Sequence, residues 1–231
     1  MSQEVITDVI IPAYNEEASI VHVINDIPKH LVRHIIVCNN NSTDRTAEVA
    51  ARAGAVVVHE PRKGYGNACL KGMEYIAGLK TKPNIVVFLD GDYSDHPEQM
   101  VELIRPIENE GYHMVIASRA LGQLEKGAMM PQQVFGNWLA ITLIKLFYNV
   151  TYTDLGPFRA IRYDKLLEID MEDKTFGWTV EMQVKAAKMK YRCTEVPVNY
   201  RKRIGFSKVS GTIKGTFLAG HKILWTIFKL L

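Results

Sequence analysis

The first half of the chain alternates between short apolar runs and helix-like patterns, and this alternation constrains the fold most. Strand-like runs lie at 5–11, 34–38, 55–58, 85–89 and 114–117. Helical patterns separate them at 16–27, 43–53, 66–77 and 97–108. Strand–helix units at such short intervals predict an α/β fold with a doubly wound, mostly parallel sheet. The 231 residues, 47% of them hydrophobic, are enough to build one such core.

The second half is less regular. We predict helices at 131–150, at 179–190 and at the C-terminus, and strands at 158–162 and 191–200. A basic, glycine-containing loop at 201–211 comes before the last helix.

Polar clusters follow the first four predicted strands. They occupy 12–16, 39–44, 61–66 and 90–92. In doubly wound sheets, ligands bind beyond the carboxyl ends of the strands. We therefore expect the four clusters to line one crevice.

The last of these clusters is Asp90-Gly91-Asp92, directly after an apolar strand. Side chains two positions apart in an extended segment point the same way, so Asp90 and Asp92 can share one hard cation. Gly91 allows another group to approach closely. An ordinary strand-to-helix turn, with Asp92 or Ser94 as a cap, is the alternative.

Several other residues have both a structural and a functional interpretation. Glu16 and Asp44 suit helix starts as well as ligand binding. The basic, glycine-rich run 62–66 opens a helix, and its backbone N–H groups suit an anion such as a diphosphate. Arg119, after the fifth strand, suits either a carboxylate or a phosphate. The basic loop is either a solvated segment or a phosphate clamp.

Two acids in the second half are candidate proton acceptors. Glu181 has Lys185 four positions later, so it forms either a helical surface pair or a general base for the acceptor. Asp154 is the other candidate base, and a base is needed only if the acceptor is a hydroxyl group.

Composition excludes several classes of protein. A net charge of +3 is too small to indicate nucleic-acid binding. Three widely spaced cysteines, Cys38, Cys69 and Cys193, argue against a zinc site or a disulfide framework. The chain shows neither a signal peptide nor an uncharged run of about 20 residues. We expect a cytoplasmic protein, and the apolar, lysine-flanked segments 135–150 and 212–231 leave contact with a membrane surface open.

Taken together, these motifs resemble glycosyltransferase family 2. The resemblance rests on Ile10–Glu17, Asn40–Asp44, Lys63–Ala68 and Asp90–Asp92. Further segments, 117–119, 154–159 and 203–208, are similar to the polyprenyl-phosphate branch of that family, which includes dolichyl-phosphate mannose synthases. The match extends over nearly the whole chain.

The resemblance implies a GT-A fold over residues 1–211. Residues 1–119 would hold the nucleotide sugar, 120–211 the acceptor, and an amphipathic helix would follow at 212–231. The implied reaction is inverting transfer from a UDP- or GDP-sugar to a polyprenyl phosphate, with Mg²⁺ or Mn²⁺ as cofactor. We therefore expect a peripheral enzyme at the cytosolic face of a membrane.

The resemblance, together with the residue patterns above, implies the site residues. The predicted metal ligands are Asp90 and Asp92, and the predicted catalytic residues are Asp92, Arg119 and Glu181. The predicted substrate-binding residues are Pro12, Tyr14, Glu16, Asn41, Asp44, Lys63, Gly64, Asp90, Asp154, Arg159, Arg201, Arg203, Ser207 and Lys208.

Three other functions remain open at this stage. The same donor chemistry serves a soluble or protein acceptor. A nucleotidyltransferase also uses metal-bound phosphates on a doubly wound fold. A non-catalytic binding module is the third, although it has no need for a strongly held metal.

The chain departs from the pattern of the dolichyl-phosphate mannose synthases at two places. Those enzymes often have a Gln where this chain has Ser94, and an Arg within the stretch that here is 131–134.

Overall fold

The protein is described by a computed structural model that covers residues 5–205 and 213–231. The strands are β1 (Thr7–Ala13), β2 (His34–Asn39), β3 (Val56–His59), β4 (Ile85–Phe88), β5 (Met114–Ser118), β6 (Arg159–Arg162) and β7 (Cys193–Pro197). The α-helices are α1 (Ile20–Asp26), α2 (Thr46–Arg52), α3 (Tyr65–Gly78), α4 (Met100–Glu110), α5 (Pro131–Tyr148), α6 (Tyr163–Glu168), α7 (Trp178–Lys188) and α8 (Ile213–Lys229).

The strands of this described region form one sheet of seven, in the order β3-β2-β1-β4-β6-β5-β7. Strand β6 is antiparallel to both of its neighbours, and the other pairings are parallel. The predicted α/β class with a mostly parallel sheet is therefore confirmed.

The core lies on both faces of the sheet, because successive side chains of a strand point to opposite faces. Ile10 of β1 packs with α3 and α7 on one face, whereas Val9 and Ile11 pack with α1 and α4 on the other. All three side chains are fully buried. Strands buried on both faces explain the near-continuous apolar runs in the sequence.

Most predicted elements are present, with shifted ends. Helix α1 begins at Ile20 instead of residue 16, because Asn15 has a left-handed backbone (φ 54°) and residues 16–19 form a turn. The short helix α6 was not predicted. Strand β7 ends at Pro197, and Tyr200 forms only isolated bridges to Asp95 and Leu124.

Helices α5 and α8 pack against each other beside the sheet. Tyr148 at the end of α5 donates a hydrogen bond to the Ile227 carbonyl at 2.7 Å. Lys222 of α8 forms an ion pair of 2.8 Å with Asp173, which is buried in the loop before α7. These polar contacts fix α8 against the rest of the molecule.

The outer faces of these two helices are rich in exposed apolar side chains. The most exposed of them are Phe135, Trp138, Leu146, Phe217 and Trp225, each more than half exposed. Across the described residues, none of the helices has both the length and the apolar character needed to cross a bilayer.

Candidate active site

A cavity of about 560 Å³ opens beyond the carboxyl ends of β1, β4 and β5. This is the edge of the sheet at which the polar clusters were expected to meet. Nine of the predicted site residues line it: Pro12, Tyr14, Glu16, Lys63, Gly64, Asp90, Asp92, Arg119 and Arg203.

The two carboxylates that follow β4 are held by defined partners, and Asp92 is buried whereas Asp90 is half-buried. Asp90 accepts a hydrogen bond from the Tyr65 hydroxyl at 2.9 Å. Asp92 accepts from the Ser94 backbone N–H at 2.9 Å and from the Ser94 hydroxyl at 2.5 Å. Burial, and then the charge of Asp92, raise the pKa of Asp90.

The donor set at this point fits a hard divalent cation. Asp90 and Asp92 both present carboxylate oxygens to the cavity, the ligand type that Mg²⁺ and Mn²⁺ prefer. Within the described ranges, no group of three or more His, Cys, Asp or Glu side chains could enclose a metal. A cation held here therefore needs water or phosphate oxygens to complete its shell.

Two arginines add positive charge to the cavity wall. Arg203 forms an ion pair with Asp92 at 2.6 Å. Arg119 is gripped by Asp154, with distances of 2.7 and 2.6 Å from its guanidinium nitrogens to the two carboxylate oxygens. Burial alone lowers the pKa of Arg119, but Asp154 more than offsets this, so that pKa lies above its usual value. Asp154 itself does not line the cavity; it positions Arg119.

The glycine-rich run contributes differently from the prediction. We expected its backbone N–H groups to be available to an anion, but three of them already have partners. Arg62 N–H donates to the Glu60 carboxylate, Gly64 N–H to the Asn40 side chain, and Gly66 N–H to the Thr175 carbonyl. The glycines are needed because the 173–175 segment passes so close that no side chain fits. Lys63 and Gly64 form part of the cavity wall.

We expect Gly66→Ala to destabilise the protein by about 2 kcal/mol, because a Cβ there would lie 1.9 Å from the Asp173 carbonyl oxygen. Backbone cannot move aside as a side-chain tip can. Urea unfolding measures the loss. Gly78→Ala, at the far end of the same helix, meets nothing within 4 Å and serves as the control. Equal stability of the two variants would contradict the tight packing.

Two predicted residues lie in the core instead of the cavity. Glu181 is 3% exposed, pairs with Lys185 at 2.9 Å and accepts the backbone N–H groups of residues 172 and 173. Arg159 is fully buried, and its guanidinium donates to the Thr179 and Gly156 carbonyls and to Gln183. Burial lowers the pKa of Arg159 to about 10. We therefore assign both residues structural roles.

Three more predicted residues lie away from the cavity lining. Asn41 is exposed in a left-handed turn (φ 63°). Asp44 accepts hydrogen bonds from the Thr46 backbone and hydroxyl at the start of α2, which is the helix-start role. Arg201 stacks on the Tyr93 ring, 3.4 Å from its centroid, and donates to the Tyr93 carbonyl. Ser207 and Lys208 lie outside the described residues.

The structure adds cavity residues that sequence reasoning missed. Tyr65, whose hydroxyl donates to Asp90, lies within the 63–68 motif but was not among the predicted site residues, because the motif does not reveal that its side chain reaches the turn after β4. The opposite wall comes from α5, α8 and the loop before α7, which nothing in the sequence placed near the strand ends. These wall residues include Met129, Gln132, Gln133, Gly136, Asn137, Phe176, Ala219, Gly220 and Ile223.

Comparison with known proteins identifies the class that this sheet, cavity and carboxylate pair define. The Glycosyl transferase family 2 model matches residues 8–169. The chain belongs to glycosyltransferase family 2 and is a glycosyltransferase.

Curated relatives agree with this assignment. A dolichyl-phosphate hexose transferase of Haloferax volcanii is 32% identical over 205 residues, 87% of this chain and 85% of its own. An undecaprenyl-phosphate mannosyltransferase of Micrococcus luteus is 29% identical over 220 residues, 89% of this chain and 88% of its own. An uncharacterized glycosyltransferase of Mycobacterium tuberculosis is 33% identical over 213 residues, 91% of this chain and 93% of its own. The predicted resemblance to the polyprenyl-phosphate branch is thereby confirmed.

Among solved structures, glucosyl-3-phosphoglycerate synthase of Mycobacterium tuberculosis, crystallised with Mn²⁺, uridine diphosphate and phosphoglyceric acid, matches with a TM-score of 0.78. The match covers 99% of this chain and 79% of that one at 22% identity. It establishes the shared GT-A fold.

Proposed function

We propose that this glycosyltransferase uses a divalent cation to transfer a sugar, with inversion, from a nucleotide diphospho-sugar to a polyprenyl phosphate at a membrane surface. One observation carries the proposal. The cavity combines a carboxylate pair and two arginines with apolar side chains on the opposite wall, those of Met129, Phe176 and Ile223. The donor's diphosphate needs the charges, and an isoprenoid chain beside a phosphate needs the apolar wall.

The acidic residues of the cavity would bind the cation, and its basic residues would bind the phosphate groups. Asp90 and Asp92 would hold Mg²⁺ or Mn²⁺, which when bound stabilises the negative charge of the departing nucleoside diphosphate. Pro12, Tyr14 and Lys63 border the space for the nucleotide, with the Lys63 ammonium 5.9 Å from the Tyr14 ring centroid. Arg203 is placed to bind phosphate oxygens in the forked geometry that guanidinium groups favour, and Arg119, which donates two bonds to Asp154, adds positive charge beside them.

An acceptor phosphate explains why the cavity needs no general base. A phosphate is already an anion near neutral pH, so it attacks without losing a proton to the protein. Glu181, which sequence analysis offered as a base for a hydroxyl acceptor, is buried in the ion pair with Lys185. Asp154, the other candidate, is occupied by Arg119.

Support for a lipid-linked acceptor comes from the relatives and from the outer faces of α5 and α8. The relatives in Haloferax volcanii and Micrococcus luteus carry dolichyl and undecaprenyl phosphate in their names. The structural relative instead carries phosphoglyceric acid, a soluble phosphate. Both acceptors present a phosphate to the arginines, and they differ in the apolar chain.

A donor and acceptor screen tests the proposal. Purified protein receives UDP- or GDP-sugars with Mg²⁺ or Mn²⁺, together with either a polyprenyl phosphate or 3-phosphoglycerate, and release of nucleoside diphosphate is measured. We expect release to depend on the polyprenyl phosphate. Faster release with 3-phosphoglycerate would favour the soluble-acceptor alternative, and pyrophosphate release would indicate a nucleotidyltransferase.

We expect Trp138→Glu to weaken binding to lipid vesicles about tenfold, because it places a charge on the exposed apolar face of α5. Co-sedimentation with vesicles measures the bound fraction. Leu167→Glu makes the same change at an equally exposed site, 52% against 55%, on the separate helix α6. Equal loss in both variants, or in neither, would count against this face as the membrane contact.

A further inference from the structure

The Asp92 carboxylate is already occupied by groups of this chain. Its Oδ1 atom accepts both hydrogen bonds from Ser94. Its Oδ2 atom lies 2.6 Å from the Arg203 guanidinium. Asp92 is buried, whereas the Arg203 side chain is 27% exposed toward the cavity. A cation that binds Asp92 therefore has to share Oδ2 with Arg203 or displace the guanidinium from it.

The backbone beside Arg203 is fixed, so only its side chain has to turn. The Ile204 N–H donates to the Asp92 carbonyl at 3.0 Å, and the Arg201 N–H donates to the Ser94 carbonyl at 3.0 Å. These bonds align the segment after β7 with the acidic turn after β4. The Arg203 guanidinium lies at the end of a long, flexible side chain that lines the cavity.

We propose that Arg203 is an exchangeable counter-ion of Asp92, which competes with a divalent cation until a nucleoside diphosphate draws it away. The inference rests on the proposed function, since its ligands are the cation and the nucleotide of that reaction. Like charges repel at the shared oxygen, so Arg203 opposes a cation that binds alone. The diphosphate offers Arg203 new charge-assisted, bidentate hydrogen bonds.

This exchange couples the two ligands. If nucleotide removes Arg203 from Asp92, it raises the affinity for the cation, and the cation raises the affinity for nucleotide by the same factor. Arg203 would thus favour binding of the pair over binding of the metal alone. A residue that only binds phosphate gives no such effect on the metal by itself.

Mn²⁺ binding tests the exchange without any turnover. Electron paramagnetic resonance of free Mn²⁺ gives its Kd for the wild-type protein and for Arg203→Gln, first alone and then with GDP or UDP. We expect the variant to bind Mn²⁺ alone about tenfold more tightly, and to bind it as the wild type does when the nucleotide is saturating. Nucleotide therefore raises the Mn²⁺ affinity about tenfold less in the variant than in the wild type, and this smaller enhancement is the signature of the exchange.

Two variants control for charge and geometry. Arg105→Gln removes the same charge from an exposed side chain of α4, and we expect no change in either state. Arg203→Lys keeps the charge but loses the fork, so Mn²⁺ alone binds as in the wild type while the nucleotide complex weakens. Thermal unfolding verifies that each variant is folded.

The outcomes separate this inference from the proposed function. An Arg203→Gln protein with unchanged affinity for Mn²⁺ alone, or with weaker affinity in both states, overturns the exchange and leaves metal-dependent transfer standing. An increase matched by Arg105→Gln overturns it too, because that would be a general charge effect. A wild-type protein that binds no Mn²⁺ in either state contradicts the proposed function itself.

Discussion

Asp92→Asn is expected to keep the fold and to lower turnover about 100- to 1,000-fold, even with saturating Mg²⁺ or Mn²⁺. Asparagine keeps the shape of the side chain and an oxygen for Ser94. It removes the negative charge that a cation and Arg203 both require. The effect should fall on kcat, because the charge of the leaving group develops during bond cleavage.

The measurement is nucleoside diphosphate release with the donor and acceptor that the wild type uses. Asp95→Asn is the matched control: Asp95 is buried three positions further on and does not line the cavity. Burial, and then the nearby carboxylates Asp90 and Asp92, raise the pKa of Asp95 well above its usual value. Because the Asp95 carboxyl group does not line the cavity, an amide there should change turnover less than about twofold. Normal turnover in Asp92→Asn would contradict the proposal that the carboxylate pair binds a metal needed for the reaction.

The second large effect is expected from Asp154→Asn, which we predict to cost about 3 kcal/mol of folding free energy. Asp154 is 1% exposed and accepts three hydrogen bonds from Arg119, including its backbone N–H at 2.9 Å. The amide would leave the Arg119 charge buried beside a neutral partner. Breaking a buried pair on one side costs more than the pair contributes as a whole.

Urea unfolding gives the change in stability, and the activity assay reports the displaced guanidinium as a further loss of turnover. The control is Asp164→Asn, which breaks the exposed pair between Asp164 and Arg162. An exposed pair contributes little, so we expect a change below about 0.5 kcal/mol. If the two variants lose the same stability, Asp154 is not the anchor of Arg119.

The sequence predicts the side of the cavity formed by the strand ends well, because local patterns determine it. Apolar runs give β1 and β4, and each is followed at once by its polar cluster. Parallel strands bring those ends to one edge of the sheet. Asp90, Asp92 and Glu16 therefore meet around one cavity with no information from distant parts of the chain.

Contacts between distant segments account for what the sequence does not reveal. The glycines at 64 and 66 look like an anion loop, but their surroundings depend on residues 173–175, far along the chain. Arg159 resembles a family motif residue, yet its charge is used to bind carbonyl groups inside the core. Glu181 has the same spacing to Lys185 whether that pair is exposed or, as here, buried.

The position of β6 has a consequence for how the chain acquires its shape. Strands β1 to β4 are neighbours in the sheet and all lie within the first ninety or so residues, so they can pair with one another before the rest of the chain is made. Strand β5 does not join them directly; β6 has to slot between it and β4 in the reverse direction. The two portions of the sheet can therefore join only once β6, which begins at residue 159, is available. We expect the pairing of β6 with β4 and β5 to be the slow step of folding, because long-range pairing must first overcome the entropy of the intervening chain.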